Sequence, residues 1–379
     1  MSRLAPRNVE RLPGRATAQG TLRYASRFQG RSAPGHFREV PGGLVFSSVG
    51  IGTYLGEADE ATDDAYSRAV VAAVEGGFNV VDSAINYRLQ RSERAVGRAL
   101  KRLAASGFAR DEIVLCTKAG FLTPDGEMPG DANEYFSREF LERGVFRAEE
   151  IAAGCHCMAA GYLADQLERS LQNLGVECMD VFYLHNPETQ LTDIPAEEFR
   201  RRMQEAFVFL ESAVTSGKIG AYGMATWNAF REDPKAAGYL SLEEMAGLAR
   251  EAGGDDHHFR FVQLPLNLAM PEALTRANQV VRGKTMAVVQ AARPLGITLV
   301  SSAALLQGKL TKNLPPFMRE VLGMKNDSAL ALQFARSVPG LTTALVGMSQ
   351  IEHVKANLEL VGVEPASRDQ FLKLFESRA

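Results

Sequence analysis

Apolar, strand-like runs alternate with helix-like stretches eight times after residue 36 of this 379-residue chain. Three of these runs end at Asp82 in FNVVD, at Lys118 in IVLCTK and at His185 in DVFYLH. Strands that alternate with helices form a parallel sheet, because each helix returns the chain to the same edge. Eight such units are the number that closes a (β/α)8 barrel. The sequence therefore predicts an α/β fold, a (β/α)8 TIM barrel.

Apolar periodicity and glycine or proline stop signals set the expected element boundaries. We expect barrel strands at residues 48–53, 78–82, 112–118, 179–185, 219–225, 261–266, 297–302 and 342–347. We expect helices at residues 59–75, 92–104, 160–174, 196–216, 241–252, 284–293, 327–337, 350–360 and 366–377. An N-terminal β-hairpin that turns at Pro41-Gly42-Gly43 precedes the first barrel strand.

Two connections are too long to be simple turns. Residues 121–159 separate the third strand from its helix, and residues 267–283 follow the sixth strand. Long loops in compact domains are usually lids or binding loops, and barrels carry their functional residues on the loops that follow the strands. We therefore expect two long βα loops at the functional face.

The first 36 residues differ in character from the rest of the chain. They hold seven arginines and one acid, Glu10, and lack the apolar run of a secretory signal. We expect an Arg-rich arm, residues 1–36, that lies on the barrel or on a partner subunit in a homo-oligomer. An organelle transit peptide is the alternative. Residues 37–379 then form a single barrel domain.

Charge and composition exclude several classes of protein. The formal net charge is -3 and no long basic run follows the arm, which argues against nucleic acid as a partner. No apolar run approaches the roughly 18 residues of a membrane span. Four cysteines in a chain of this length are typical of a reducing compartment. We expect a cytoplasmic protein whose partner is a small-molecule substrate.

Four side chains near successive strand ends form a plausible proton-transfer set: Asp82, Tyr87, Lys118 and His185. A phenol is a weak acid at neutral pH, and a neighbouring ammonium lowers its pKa. A carboxylate keeps the ammonium charged, and an imidazole can hydrogen-bond a substrate oxygen or share the proton. Each residue alone has a structural explanation, such as a helix cap or a satisfied rim residue. Their position on one face favours catalysis, with hydride arriving at carbon as Tyr87 protonates oxygen.

The tripeptide Cys155-His156-Cys157 raises the question of a metal. It supplies at most part of a tetrahedral ligand set, and no second pair lies at zinc-like spacing. We expect no metal site, and we expect this tripeptide in a substrate-facing loop.

Several segments resemble the aldo-keto reductase superfamily. GGFNVVDSAINYRLQRSERAVGRAL is similar to its Asp-Ser/Thr-Ala…Tyr signature, and IVLCTK is similar to its catalytic Lys strand. LGVECMDVFYLHNPE, GKIGAYGMATWN and TTALVGMSQIEHVKANLEL are similar to later segments, in the family's order. The resemblance implies that Tyr87 is the general acid/base, that Lys118 tunes it, that Asp82 pairs with Lys118, and that His185 orients the carbonyl.

The resemblance also implies a nicotinamide cofactor, NADP(H) or NAD(H), bound across the barrel mouth without a Rossmann domain. The residues that it assigns to the cofactor are Gly52, Thr53, Asp82, Thr226, Gln263, Ser302, Leu305, Gln307, Gly308, Lys309, Gly347, Ser349, His353 and Asn357.

The chain departs from the family at three of these places. Ala225-Thr226 replaces the usual Ser-Asn, and Ser302 occupies the place of a stacking Tyr. Many NADP-dependent members carry Lys or Arg near Ser349-Gln350, whereas here the nearest is Lys355. The sequence thus leaves NAD and NADP open.

We conclude that the chain is an NAD(P)(H)-dependent oxidoreductase that interconverts a carbonyl and an alcohol. Tyr54, His156 and Trp227 are the expected substrate contacts. One alternative is a cofactor-sensing regulatory or partner subunit with the same barrel. A second is a lyase or isomerase that uses Lys118 as a Schiff-base amine.

Overall fold

The computed structural model describes residues 11–376, in which eight parallel strands pair in chain order and close into a barrel. The last strand pairs with the first, with Gly347 opposite Gly52, so the predicted (β/α)8 barrel is confirmed. The strands are β1 (Val49–Gly52), β2 (Val80–Asp82), β3 (Val114–Ala119), β4 (Met179–His185), β5 (Ile219–Ala225), β6 (Phe259–Pro265), β7 (Thr298–Ser302) and β8 (Leu341–Gly347).

Helices follow the strands around the outside of the barrel. They are α1 (Glu60–Gly76), α2 (Arg91–Ala105), α3 (Ala160–Leu174), α4 (Ala196–Thr215), α5 (Leu242–Gly253), α6 (Val288–Ala291), α7 (Asp327–Ser337) and α8 (Ile351–Leu358). Shorter helices lie at Ala18–Ser26, Ala132–Phe136, Glu272–Thr275, Pro316–Leu322 and Arg368–Leu372. Among residues 11–376, no helix is long and apolar enough to cross a membrane.

The two-residue period of a strand determines what fills the barrel and what stands at its mouth. Val114 and Cys116 of β3, and Val181 and Tyr183 of β4, belong to the apolar cluster inside the barrel. Their neighbours on the other strand face, such as Leu115 and Phe182, pack against the helices. Lys118 and His185 are the next inward positions on the same two strands. The sequence period therefore delivers both side chains to the mouth.

The predicted N-terminal hairpin is present, and it closes the end of the barrel where the strands begin. Phe37–Glu39 pairs with Val45–Ser47. Phe46 stacks on Phe261 of β6 with ring centroids 5.9 Å apart. The hairpin thus extends the apolar core inside the barrel at the end where the strands begin.

The described part of the arm, residues 11–36, lies on the barrel. The backbone N–H of Ala16 donates to Asp180 Oδ1 at 2.6 Å. Arg27 pairs with the buried Glu112, and the Tyr24 hydroxyl donates to the carbonyl of Val74. The residues of this stretch therefore contact the barrel of the same chain. An oligomer formed through the arm stays a prediction. Arg3, Arg7 and Glu10 lie outside the described residues.

The helix expected at residues 284–293 is wrong at its N-terminal end and in its extent. Residues 284–293 were expected to be helical, but Lys284–Met286 pairs with Gln279–Val281 in a hairpin, and only Val288–Ala291 is α-helical. The Arg282-Gly283 turn, with both φ angles positive, explains the difference. In the loop after β3, a second hairpin pairs Ile151–Ala152 with His156–Cys157.

Candidate active site

A buried ion pair lies at the centre of the barrel mouth. Lys118 Nζ of β3 lies 2.5 Å from Asp82 Oδ1 of β2, and it also donates to the carbonyl of Ser83 at 2.7 Å. Burial raises the pKa of the Asp82 carboxyl, and Lys118 opposes that rise. Burial alone would lower the pKa of Lys118, but Asp82 and then Tyr87 outweigh it, so the pKa is raised. The Lys118 ammonium is thus held charged although it is buried away from solvent.

Tyr87 follows β2 and lies against this ammonium. Lys118 Nζ is 4.9 Å from the centre of the Tyr87 ring, and the ring is partly exposed. Burial raises the pKa of the Tyr87 phenol, while Lys118 lowers it. The phenol therefore keeps its proton at neutral pH, and a positive charge stands ready to stabilise the phenolate that remains after the proton leaves.

An unusual turn presents Tyr87. Arg88, Leu89 and Gln90 all have positive φ angles, a conformation that costs non-glycine residues energy unless the surroundings enforce it. The Arg88 guanidinium supplies that restraint, because it donates to the carbonyls of Glu57 and Asp59 and forms a buried ion pair with Asp63. The loop after β1 and the start of α1 thus hold the turn that follows Tyr87.

His185 is the last residue of β4. Its ring meets the Tyr87 ring edge-on with centroids 5.7 Å apart. Its Nδ1 lies 3.2 Å from Asn86 Oδ1. Burial lowers the pKa of His185 well below its usual value, and the nearby Lys118 adds to the effect. The imidazole is therefore neutral. A carboxamide oxygen only accepts hydrogen bonds, so the ring proton sits on Nδ1 and Nε2 is left as an acceptor.

The residues expected at the nicotinamide end lie around the same carboxylate. Gln263 Nε2 of β6 donates to Asp82 Oδ2 at 2.9 Å. Thr226, after β5, has a buried hydroxyl with no hydrogen-bond partner. Buried polar groups are rarely left unpaired, and such a hydroxyl suits a polar ligand group such as a carboxamide. The residues at this position therefore fit a nicotinamide.

The other predicted cofactor residues lie on three loops at the same end of the barrel. Gly52 ends β1, and the Thr53 hydroxyl donates to the carbonyl of Asp82 at 3.2 Å. Ser302, Leu305, Gln307, Gly308 and Lys309 follow or end β7; Gly347, Ser349, His353 and Asn357 end β8 or lie before and within α8. After β7, the exposed residues of this set are Gln307, Gly308 and Lys309. Around the end of β8 and in α8, they are Gly347 and His353. Asn357 is buried and donates to Met348 Sδ at 3.0 Å.

Aromatic residues surround the mouth. Tyr54 is 54% exposed and meets the Tyr87 ring with centroids 5.0 Å apart. Phe121, after β3, meets the His185 ring edge-on at 5.3 Å. Trp227 is 43% exposed, and its backbone N–H donates to Glu188 Oε1 at 2.6 Å. Tyr54 and Trp227 are thus accessible to a ligand, as a substrate contact requires.

His156 differs from these two. Its side chain is fully buried, and both ring nitrogens have hydrogen-bond partners. The structure therefore places His156 behind the wall formed by Phe121, away from the surface that a substrate would touch. Residues 11–376 contain no group of three His, Cys, Asp or Glu side chains that could hold a metal ion.

Residues 48–377 match the Aldo/keto reductase family. The chain belongs to this family. Aldo-keto reductase YhdN of Bacillus subtilis is 25% identical over 189 residues, a match that spans 49% of this chain and less than half, 45%, of that relative.

Two solved structures share the fold of this aldo/keto reductase. The holo form of aldo-keto reductase AKR11C1 from Bacillus halodurans has a TM-score of 0.62 and 19% identity, covering 89% of this chain and 95% of the other. An aldo/keto reductase from Klebsiella pneumoniae in complex with NADP and acetate has a TM-score of 0.60 and 18% identity, covering 89% and 94%.

The sequence of this aldo/keto reductase did not reveal three residues of the mouth: Asn86, Phe121 and Glu188. Asn86 directly precedes Tyr87 and is the one polar side chain between Ser83 and Tyr87, which is a usable signal. Phe121 and Glu188 carry no such signal, because their positions depend on how the loops after β3 and β4 fold.

Proposed function

We propose that the protein is an NAD(P)(H)-dependent oxidoreductase that interconverts a carbonyl and an alcohol, with Tyr87 as general acid/base. One observation carries the proposal: the Tyr87 ring lies against a buried ammonium that Asp82 holds charged. Membership of the Aldo/keto reductase family supports it.

In the reducing direction, Tyr87 donates its hydroxyl proton to the substrate oxygen. The nicotinamide, when bound, supplies the hydride that reaches the carbonyl carbon. Lys118 stabilises the tyrosinate that remains, and because Lys118 is buried this charge interaction is weakly screened. Asp82 keeps Lys118 charged and in place, and Gln263 occupies the other carboxylate oxygen, which fixes the orientation of the carboxylate.

His185 complements Tyr87 at the alcohol. Its neutral ring lies edge-on to the Tyr87 ring and limits where the substrate oxygen can lie. The single hydroxyl proton of the alcohol is then free to pass to the tyrosinate in the oxidising direction.

Thr226 and Gln263 are the residues proposed to hold the carboxamide of the cofactor. The Klebsiella relative was solved with NADP, which supports a phosphorylated cofactor. In this chain Lys309, on the loop after β7, and Lys355, on α8, are exposed basic residues. Because these two positions do not decide between NADH and NADPH, both nucleotides are tested.

The two alternatives receive less support. A purely regulatory subunit does not require Tyr87 beside the charged Lys118, whereas proton transfer does. A Schiff-base mechanism needs a neutral amine at Lys118, whereas the raised pKa of Lys118 keeps that group charged.

Titration with NADH and with NADPH tests the proposal. The chain has one tryptophan, Trp227, on the rim beside Thr226, so quenching of tryptophan fluorescence reports on this end of the barrel. Calorimetry is run in parallel, and Trp227→Phe is the control that loses the optical signal but keeps the heat of binding. A carbonyl and alcohol panel then follows with the nucleotide that binds. Absence of binding for both nucleotides by calorimetry would contradict the proposal.

A further inference from the structure

We propose that His156 is a positioning residue for His185, which it holds from the loop after β3; the inference rests on the proposed function. His156 Nε2 lies 2.8 Å from the backbone oxygen of His185. A carbonyl oxygen only accepts hydrogen bonds, so His156 Nε2 carries the proton and donates it. The imidazole thereby takes the place of a backbone N–H at the end of β4.

The rest of the hydrogen-bond chain fixes the same assignment from the other side. Arg202 of α4 donates from Nη1 to Gln190 Oε1 at 3.2 Å, and a guanidinium only donates. Gln190 Nε2 therefore faces His156 Nδ1, at 3.1 Å, and donates to it. Both ends of the chain demand a neutral His156 protonated on Nε2. Burial agrees, because it lowers the pKa of His156 to about 4.

Gly120 leaves the space that this contact needs. A Cβ on Gly120 would lie 2.5 Å from His156 Nε2 and 2.8 Å from the His185 oxygen, with φ at +154°. The main chain around Gly120 also pairs with the hairpin, because Cys157 N–H donates to the Gly120 carbonyl at 2.8 Å. Any side chain at this position would separate the two histidines.

The contact with His156 affects the position of the His185 ring, because His185 is the last residue of its strand. Asn186 has a φ of +47°, so the chain turns away directly after His185. Phe121 meets the rings of both histidines edge-on, at 5.1 Å and 5.3 Å. His156 thus fixes the backbone of His185, while Asn86 fixes its ring.

His36 provides a matched control for the test. It is also fully buried, and its Nε2 lies 3.0 Å from a backbone oxygen, that of Gly77. Its pKa is likewise lowered to about 4 by burial. It lies before the N-terminal hairpin, at the end of the barrel remote from the mouth. A substitution there has a comparable effect on stability without touching the mouth.

The experiment compares His156→Phe, His156→Gln and His36→Phe in steady-state kinetics and cofactor calorimetry. We expect His156→Phe to lower kcat by about 10- to 100-fold through misplacement of His185, with KM and cofactor affinity unchanged. His156→Gln keeps an N–H donor at a similar reach and should recover most of the rate. His36→Phe should lower stability and leave kcat unchanged. Equal rate losses in His156→Phe and His36→Phe, or unchanged kcat in His156→Phe, would overturn the inference.

A second readout needs no turnover. In nitrogen-15 spectra of the histidine rings, the proton on His156 Nε2 should be slow to exchange. The His185 ring signals should shift in His156→Phe and stay near their wild-type positions in His156→Gln, and unshifted His185 signals in His156→Phe would overturn the inference. If the wild type shows no turnover, the proposed function fails while this spectrum still decides on His156. If His156→Phe does not fold, Gln190→Met, which removes the donor to Nδ1, replaces it with the same expected direction in kcat.

Discussion

Lys118 and Asp82 are joined across two neighbouring strands, with Nζ 2.5 Å from Oδ1 and both side chains buried. The same ammonium lies 4.9 Å from the centre of the Tyr87 ring. A buried charge is stable only when it is paired. The Asp82–Lys118 ion pair is therefore needed both for the proton-transfer site and for the stability of the barrel.

This dependence predicts a non-additive effect on stability. Asp82→Asn leaves Lys118 as an unpaired buried charge, which should cost about 3–5 kcal/mol in the free energy of unfolding. The double variant Asp82→Asn/Lys118→Met removes both charges and should regain much of that loss, yet neither variant should turn over substrate. Urea unfolding measures the stabilities. A double variant whose loss of stability equals the summed losses of Asp82→Asn and Lys118→Met would contradict the account.

The barrel was largely predictable because strong periodic signals determine it. The predicted ranges 160–174, 179–185, 219–225 and 327–337 coincide with the observed elements. The helix expected at residues 284–293 was wrong at its start. Apolar residues near Val288 suggested a helix, whereas the turn at Arg282-Gly283 leads into a hairpin. Such short hairpins depend on local turn geometry, which periodicity does not report.

The candidate site was predictable only in part. Parallel strands end at one face, so Asp82, Lys118 and His185 had to lie near one another. Of the two partners of His185, Asn86 carries a sequence signal, whereas His156 could not be predicted because it comes from a hairpin within the loop after β3. Burial of His156 follows from that loop's tertiary structure, which leaves no periodic trace in the sequence.

The two buried histidines predict loss of stability in mild acid. His36 and His156 have folded-state pKa values of about 4 against an ordinary value of 6.5. Between these values the unfolded chain binds protons that the folded chain does not, so stability falls as the pH falls from 6.5 to 4. The loss should approach about 3 kcal/mol for each histidine. Chemical denaturation across this range checks it.

The matched variants locate the source of that loss. His36→Phe and His156→Phe should each flatten the stability profile between pH 6.5 and 4 relative to the wild type. Profiles that stay parallel to the wild type would assign the acid sensitivity to carboxylates instead.

Asn86 should control the protonation of His185. Replacement by Asp puts a carboxylate beside Nδ1 and should raise the pKa of His185, which burial now holds far below its usual value. A protonated ring adds a positive charge beside Tyr87, which makes the tyrosinate a weaker base for the hydroxyl proton of the alcohol. Alcohol oxidation by Asn86→Asp should therefore fall as the pH is lowered, over a range where the wild type stays level. Asn86→Leu, which introduces no charge, is the control, and a pH profile of Asn86→Asp identical to that of Asn86→Leu would contradict this role.

The central claim is that Tyr87 transfers the proton, and Tyr87→Phe tests it most directly. The measurement is cofactor-dependent carbonyl reduction by the wild type and by Tyr87→Phe, with nucleotide affinity determined by calorimetry on both. We predict that kcat falls by about 10²- to 10⁴-fold, the usual contribution of a general acid, while nucleotide affinity is unchanged. Turnover retained at the wild-type rate in Tyr87→Phe would contradict the account.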